Sequence, residues 1–120
     1  GSEDALAAER LLSEIFVQAV FYLPRGYRAE KNWTRASLCV SIAANARPDS
    51  PWPPYELAAI HALAGRPDRA LDELDRAAAL GFRDGDALGQ DADFASLRDR
   101  PRFRDLLGRL KSAPPAASSR

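Results

Sequence analysis

Two stretches decide how this chain is built: Arg35-Ala36-Ser37-Leu38-Cys39-Val40-Ser41-Ile42-Ala43 and Arg69-Ala70-Leu71-Asp72-Glu73-Leu74-Asp75-Arg76-Ala77. Ala36 and Ala70, Val40 and Leu74, and Ala43 and Ala77 are each 34 residues apart. The echo continues through Arg35 and Arg69, Tyr27 and His61, Leu23 and Leu57, and Phe21 and Tyr55. A period of this length is that of a helix-turn-helix repeat, whose units bury their apolar faces only by stacking on neighbours. The pattern predicts an all-α repeat scaffold.

Outward from these stretches the helices are readable one by one. Leu12, Ile15, Phe16, Ala19 and Leu23 recur at helical spacing, so Glu3 to Leu23 reads as one long amphipathic helix. Leu11, Val17, Val20 and Phe21 lie outside the narrowest stripe, which predicts a helix sandwiched between neighbours. Pro24 lacks a backbone donor and, with Gly26 behind it, is expected to kink or end that helix. After the polar turn Lys31-Asn32, Trp33 to Ala46 carries an inner face of Ala36, Val40 and Ala43. The prolines of 48–54 are read as a helix start, because proline is tolerated in a first turn. Tyr55 to Ala64 and Asp68 to Leu80 follow, broken at Gly65-Arg66-Pro67 and stopped at Gly81. On the second of these, Arg69 with Glu73 and Asp72 with Arg76 are expected as surface pairs four residues apart. Shorter segments, Asp86 to Gln90 and Phe94 to Leu97, precede a last helix opened by Pro101, with Phe103, Leu106, Leu107 and Leu110 inward. Residues 112–120 are expected to be a disordered tail.

Composition narrows the function classes. One domain fits 120 residues. Seventeen basic and 17 acidic side chains give a formal charge of zero, which argues against nucleic acid and anionic membranes as partners. No apolar run is long enough to span a bilayer, since Glu9, Arg10 and Glu14 interrupt the first one, so a soluble chain is expected. Cys39 cannot form an intrachain disulfide and is expected to be buried. Gly1-Ser2, in a sequence without methionine, reads as a cloning scar on a fragment of a larger protein.

The chemistry-bearing residues point away from catalysis. His61 is the sole histidine and has no nucleophile or carboxylate partner at a telling spacing. No Cys or His pairing typical of zinc occurs. Asp84-Gly85-Asp86 and Asp91-Ala92-Asp93 are read as turns and caps, because Ala87 and Leu88 stand where a calcium loop needs ligands or glycine. Arg98, Arg100, Arg102, Arg104 and Arg109 are interleaved with Asp99 and Asp105, which describes a mixed solvated face. The expectation is no enzyme, no metal and no cofactor.

These residues resemble a pair of tetratricopeptide repeats (TPRs). Leu57-Ala58, His61, Gly65, Ala70, Leu74, Ala77 and Leu80 match the family's large, small and turn positions, as do Leu23, Tyr27, Trp33, Ala36, Val40, Ala43 and Pro48 in the earlier copy. The resemblance covers about Val17 to Phe82; Pro24 departs from it, standing where the family places a small residue. Gln90 to Phe103, an Asp-rich turn, a Leu-Arg pair and a Pro-x-Phe helix start, is similar to the ending of many bacterial TPR regions.

The resemblance implies a TPR-like α-α superhelix over residues 3–111, with repeats at about 17–50 and 51–84 and capping helices at about 86–111. It implies a protein or peptide partner held in the concave groove by Gln18, Phe21, Tyr22, Arg25 and Arg28 from one unit and Trp52, Tyr55 and Glu56 from the next. Aromatic rings and arginines are effective anchors in such a groove. The Lys and Asn set with which some TPR modules grip a peptide carboxylate is absent from these positions. Two further partners are expected, a second copy through exposed helix faces and an upstream domain. The alternative function is a structural C-terminal appendage that stabilises or positions an upstream hydrolase or kinase.

Overall fold

The computed structural model describes residues 2–18 and 22–112, with the side chains of Ser2 and Ser112 left aside. Ala19, Val20, Phe21 and the tail 113–120 therefore lie outside the described residues. Among the described residues seven α-helices follow one another: α1 (Ser2–Val17), α2 (Leu23–Ala29), α3 (Trp33–Ala46), α4 (Trp52–Leu63), α5 (Pro67–Ala79), α6 (Gly85–Gln90) and α7 (Pro101–Ser112). A 3-10 helix, Ala92–Leu97, joins the last two, and no strand occurs among the described residues.

Helix α2 packs on α3, α3 on α4 and α4 on α5. The turns that reverse the chain are built alike. Asn32 N donates to Tyr27 O and Arg66 N to His61 O, both at 2.8 Å, and these two turns are 34 residues apart. A third turn of the same kind, Phe82 N to Ala77 O at 3.0 Å, ends α5. Each needs a residue in the left-handed region: Gly65 (φ 80°) and Gly81 (φ 114°) supply it freely, whereas the first turn uses Lys31 (φ 58°). The 34-residue spacing thus recurs in the hydrogen bonds of the first two turns.

The four notch alanines, Ala36, Ala43, Ala70 and Ala77, are all buried. Helix α4 is covered almost all round and feeds two apolar clusters. Leu57 and Ile60 join Ala36 and Val40 on the α3 side, while Tyr55, Ala58, Ala59 and Ala62 join α5 and the C-terminal helices on the other. The larger cluster continues through Phe82, Leu88, Phe94, Leu97, Phe103, Leu106 and Leu110. Gly85 lets α6 and α7 touch, since a Cβ there would stand 3.0 Å from Lys111 Cγ and 3.1 Å from Leu110 Cβ.

Three sequence expectations are corrected. Pro24 sits, buried, in the first turn of α2, where a missing N–H costs nothing, and the junction at which it is expected to kink or end the first helix includes residues outside the described ones. Helix α1 is not sandwiched. Leu6, Leu11, Leu12 and Ile15 are 52–60% exposed, and only Phe16 is partly covered, beneath the Arg47 guanidinium 5.1 Å from its ring. Cys39 is half-buried rather than buried. On α5, Glu73 pairs with Arg76 at 3.3 Å, three residues on. Asp72 reaches instead to Arg102 of α7 at 2.9 Å, which Asp75 also accepts at 2.7 Å. The arginine-rich end is thus matched to the acidic face of α5.

The left-handed lysine yields a test. A non-glycine side chain there is strained, and nothing lies within 4 Å of a Cβ built at the equivalent Gly65, so the cost at this turn is conformational rather than steric. Lys31→Gly is expected to raise stability by about 0.5–1 kcal/mol, and Gly65→Ala to lower it by about 1 kcal/mol. Urea midpoints of the two variants against wild type check both signs.

Candidate functional site

Of the expected groove residues, Arg25 and Arg28 fall on α2 and Trp52, Tyr55 and Glu56 on α4, while Gln18 follows α1 and Tyr22 precedes α2. Arg25 and Arg28 are one helical turn apart on α2 and both reach Glu56 of α4, each at 3.4 Å. Arg28 also pairs with Asp93, and Tyr55 Oη donates to Asp91 Oδ2 at 2.7 Å. Asp91 Oδ1 accepts from Asp93 N at 3.0 Å, so the same carboxylate caps the 3-10 helix and holds the tyrosine. Arg28, Tyr55 and Glu56 are therefore joined to the Asp91-Ala92-Asp93 segment as a clasp tying the C-terminal half onto the repeats.

Tyr22, Arg25 and Trp52 remain exposed, as does Gln18. The Trp52 ring packs edge-on against both Tyr55 and Phe82, with centroids 6.0 Å apart in each case. Arg25, Arg28, Ala29 and Leu63 line an open pocket of about 340 Å3. Phe21 lies outside the described residues.

Electrostatics explain why the clasp holds. Glu56 is only 4% exposed, and burial pushes its carboxyl above the usual range while Arg25 and Arg28 pull it back. Two guanidinium groups are what make a carboxylate tolerable at that depth. Burial, then the hydrogen bond to Asp91, drives the Tyr55 hydroxyl far above its ordinary value, so it stays a donor. His61 is lowered by burial and by Arg66 and Arg69, leaving its imidazole neutral at pH 7. Its Nδ1 is buried without a hydrogen-bond partner among the described residues.

Asp91 and Asp93 were legible as caps but not as partners of α2 and α4. Their partners, Tyr55 for Asp91 and Arg28 for Asp93, lie 36 and 65 residues away, and only the fold brings them together. Among the described residues no group of three His, Cys, Asp or Glu is placed to hold a metal, and no helix is long and apolar enough to cross a membrane.

No protein-family model, curated protein or solved structure matches the chain. The reading of its function therefore rests on its own geometry.

Glu56 gives a pH signature of definite sign. A carboxyl whose folded pKa lies above its unfolded one adds stability that is fully present below the unfolded value and is lost as pH rises through the folded value. The melting temperature of wild type minus that of Glu56→Gln is expected to grow as pH falls from 7 toward the carboxylate range. A difference that shrinks over the same interval would show the arginines outweighing burial.

Proposed function

We propose that this chain is a non-catalytic protein-interaction and scaffold module with the build of a TPR superhelix: hairpins α2–α3 and α4–α5, closed by α6, the 3-10 helix and α7. The observation that carries the reading is the recurrence of one 34-residue unit at two levels, buried alanines at matched positions and turn hydrogen bonds at matched positions. Stacked hairpins of this kind expose the first helix of each unit on one side, and a side made of parallel helix faces is suited to holding a peptide.

On that side the binding surface is narrower than the sequence alone implies. Arg28, Tyr55 and Glu56 serve as its floor because they are engaged with Asp91 and Asp93. The open pocket beside Arg25 and Leu63 offers a guanidinium next to an aliphatic surface, with Tyr22 and Trp52 exposed on the same pair of helical segments. Such a surface suits a peptide carrying a carboxylate beside an aliphatic side chain.

The test is a selection of random displayed peptides on the folded protein, followed by titration of a selected peptide against variants. Arg25→Ala and Leu63→Ser are each expected to weaken binding about tenfold, a change of about 1.4 kcal/mol; the unfolding midpoint of Leu63→Ser is expected near wild type, while that of Arg25→Ala falls because Glu56 loses one of its two guanidinium partners. A selection that yields no peptide above background would contradict the proposal. So would peptides that bind both variants as tightly as wild type.

A further inference from the structure

The face formed by α1 and α3 shares no residue with the peptide pocket and is built differently. Helix α1 rests on α3 along a thin seam, and Ile15 and Ile42 line a groove on each side of it. The larger groove, about 920 Å3, runs on past Leu11 and Val17 to Leu23 and Cys39. The smaller, about 280 Å3, is lined by Leu12, Phe16 and Ala43 as well. Leu11, Leu12, Ile15 and Ile42 are all exposed, as is Leu38 of α3. Exposed aliphatic walls between two helices are what the apolar side of a third helix fills.

The charges that line the two grooves are few, and they decide what fits. Glu14 is the only charged residue lining the larger groove. Glu9 and Arg47 line the smaller, but the Arg47 guanidinium is committed within the chain, 5.1 Å from the centre of the Phe16 ring and donating to Ser13 Oγ at 3.1 Å. The Glu9 and Glu14 carboxylates have no partner among the described residues. Helical periodicity sets them on opposite flanks of the Leu11, Leu12 and Ile15 stripe, so each groove carries one unpaired acid. Helix α3 adds no charge between Ala36 and Ala46.

We infer that this face docks an amphipathic helix of another protein, aliphatic on the side that enters the grooves and bearing Lys or Arg at its edges opposite Glu9 and Glu14. Unpaired acids at the rim of an apolar groove attract such edges and turn away acidic ones. A second copy of the chain has no such helix to give. Its basic helix, α7, already has Phe103, Leu106 and Leu110 buried, and its α1 brings Glu3, Asp4, Glu9 and Glu14 against a single Arg10. Residues 113–120 contain no large aliphatic side chain. An anionic bilayer is opposed by the same carboxylates.

The test uses two synthetic helical peptides that share one leucine stripe, edged by lysine in the first and by glutamate in the second, titrated onto the whole chain by fluorescence anisotropy. At low salt the lysine-edged peptide is expected to bind at least about tenfold tighter, and the gap is expected to narrow as salt is raised. Replacing both acids, Glu9→Lys with Glu14→Lys, is expected to reverse the preference. Both side chains are exposed, so the helical circular dichroism and unfolding of that variant are expected to match wild type. Saturation with the lysine-edged peptide is expected to slow alkylation of Cys39, which lines the larger groove. Absence of binding by the lysine-edged peptide, equal affinity for the two, or a preference unmoved by the double substitution would overturn the inference. Alkylation of Cys39 at the same rate with and without bound peptide would overturn it by placing the contact elsewhere. A wild type that sediments as two chains with Cys39 protected would overturn it by giving the face to a second copy.

Discussion

A helix can be covered on every side only if its neighbours come close, and around α4 they do so at alanines. Ala36 on α3 and Ala70 and Ala77 on α5 are buried in the clusters that α4 feeds and have no side chain beyond Cβ to hold the helices apart. Larger residues, Val40, Leu57 and Ile60 on one side and Leu71 and Leu74 on the other, fill the space around those notches. Close approach with interdigitated side chains is what gives a protein interior its density, and in so small a chain there is little other core to compensate for its loss.

The buried position of α4 governs the polar chemistry as well. It carries Glu56 inward, where a lone carboxylate would be costly, and the cost is met by Arg25 and Arg28 from the preceding helix. Arg28 in turn reaches Asp93, and Tyr55, one residue before Glu56, reaches Asp91. A chain of contacts thus runs from α2 through α4 to the C-terminal helices, which are fastened again on α5 by Arg102. On helix α1, Arg47 covers Phe16 and donates to Ser13 at 3.1 Å. Leu11, Leu12 and Ile15 of α1 and Leu38 and Ile42 of α3 stay exposed.

Much of this was legible in the sequence because helix periodicity and turn residues act locally. The inner faces of α3, α5 and α7, the proline start of α4 and the stops at Gly65 and Gly81 all follow from residues a few positions apart. What escaped was set by distant partners. Asp72 is four residues from Arg76 yet turns to Arg102, because α7 brings a guanidinium between Asp72 and Asp75. Of the eight groove residues inferred from resemblance, Arg25, Arg28, Tyr55 and Glu56 do come together, but around an acidic segment of the same chain. Nothing in their own spacing announces Asp91 and Asp93.

The most direct test of the stacking account is a comparison of Ala70→Leu with Ala79→Leu by urea unfolding. Both sit on α5, the first fully buried at a notch and the second exposed at the helix end. If α4 and α5 meet at Ala70, the added side chain has no room, and stability is expected to fall by about 1–3 kcal/mol, while Ala79→Leu stays within about 0.5 kcal/mol of wild type. An Ala70→Leu protein as stable as Ala79→Leu would mean that the helices do not approach there, and the account of the fold would fail.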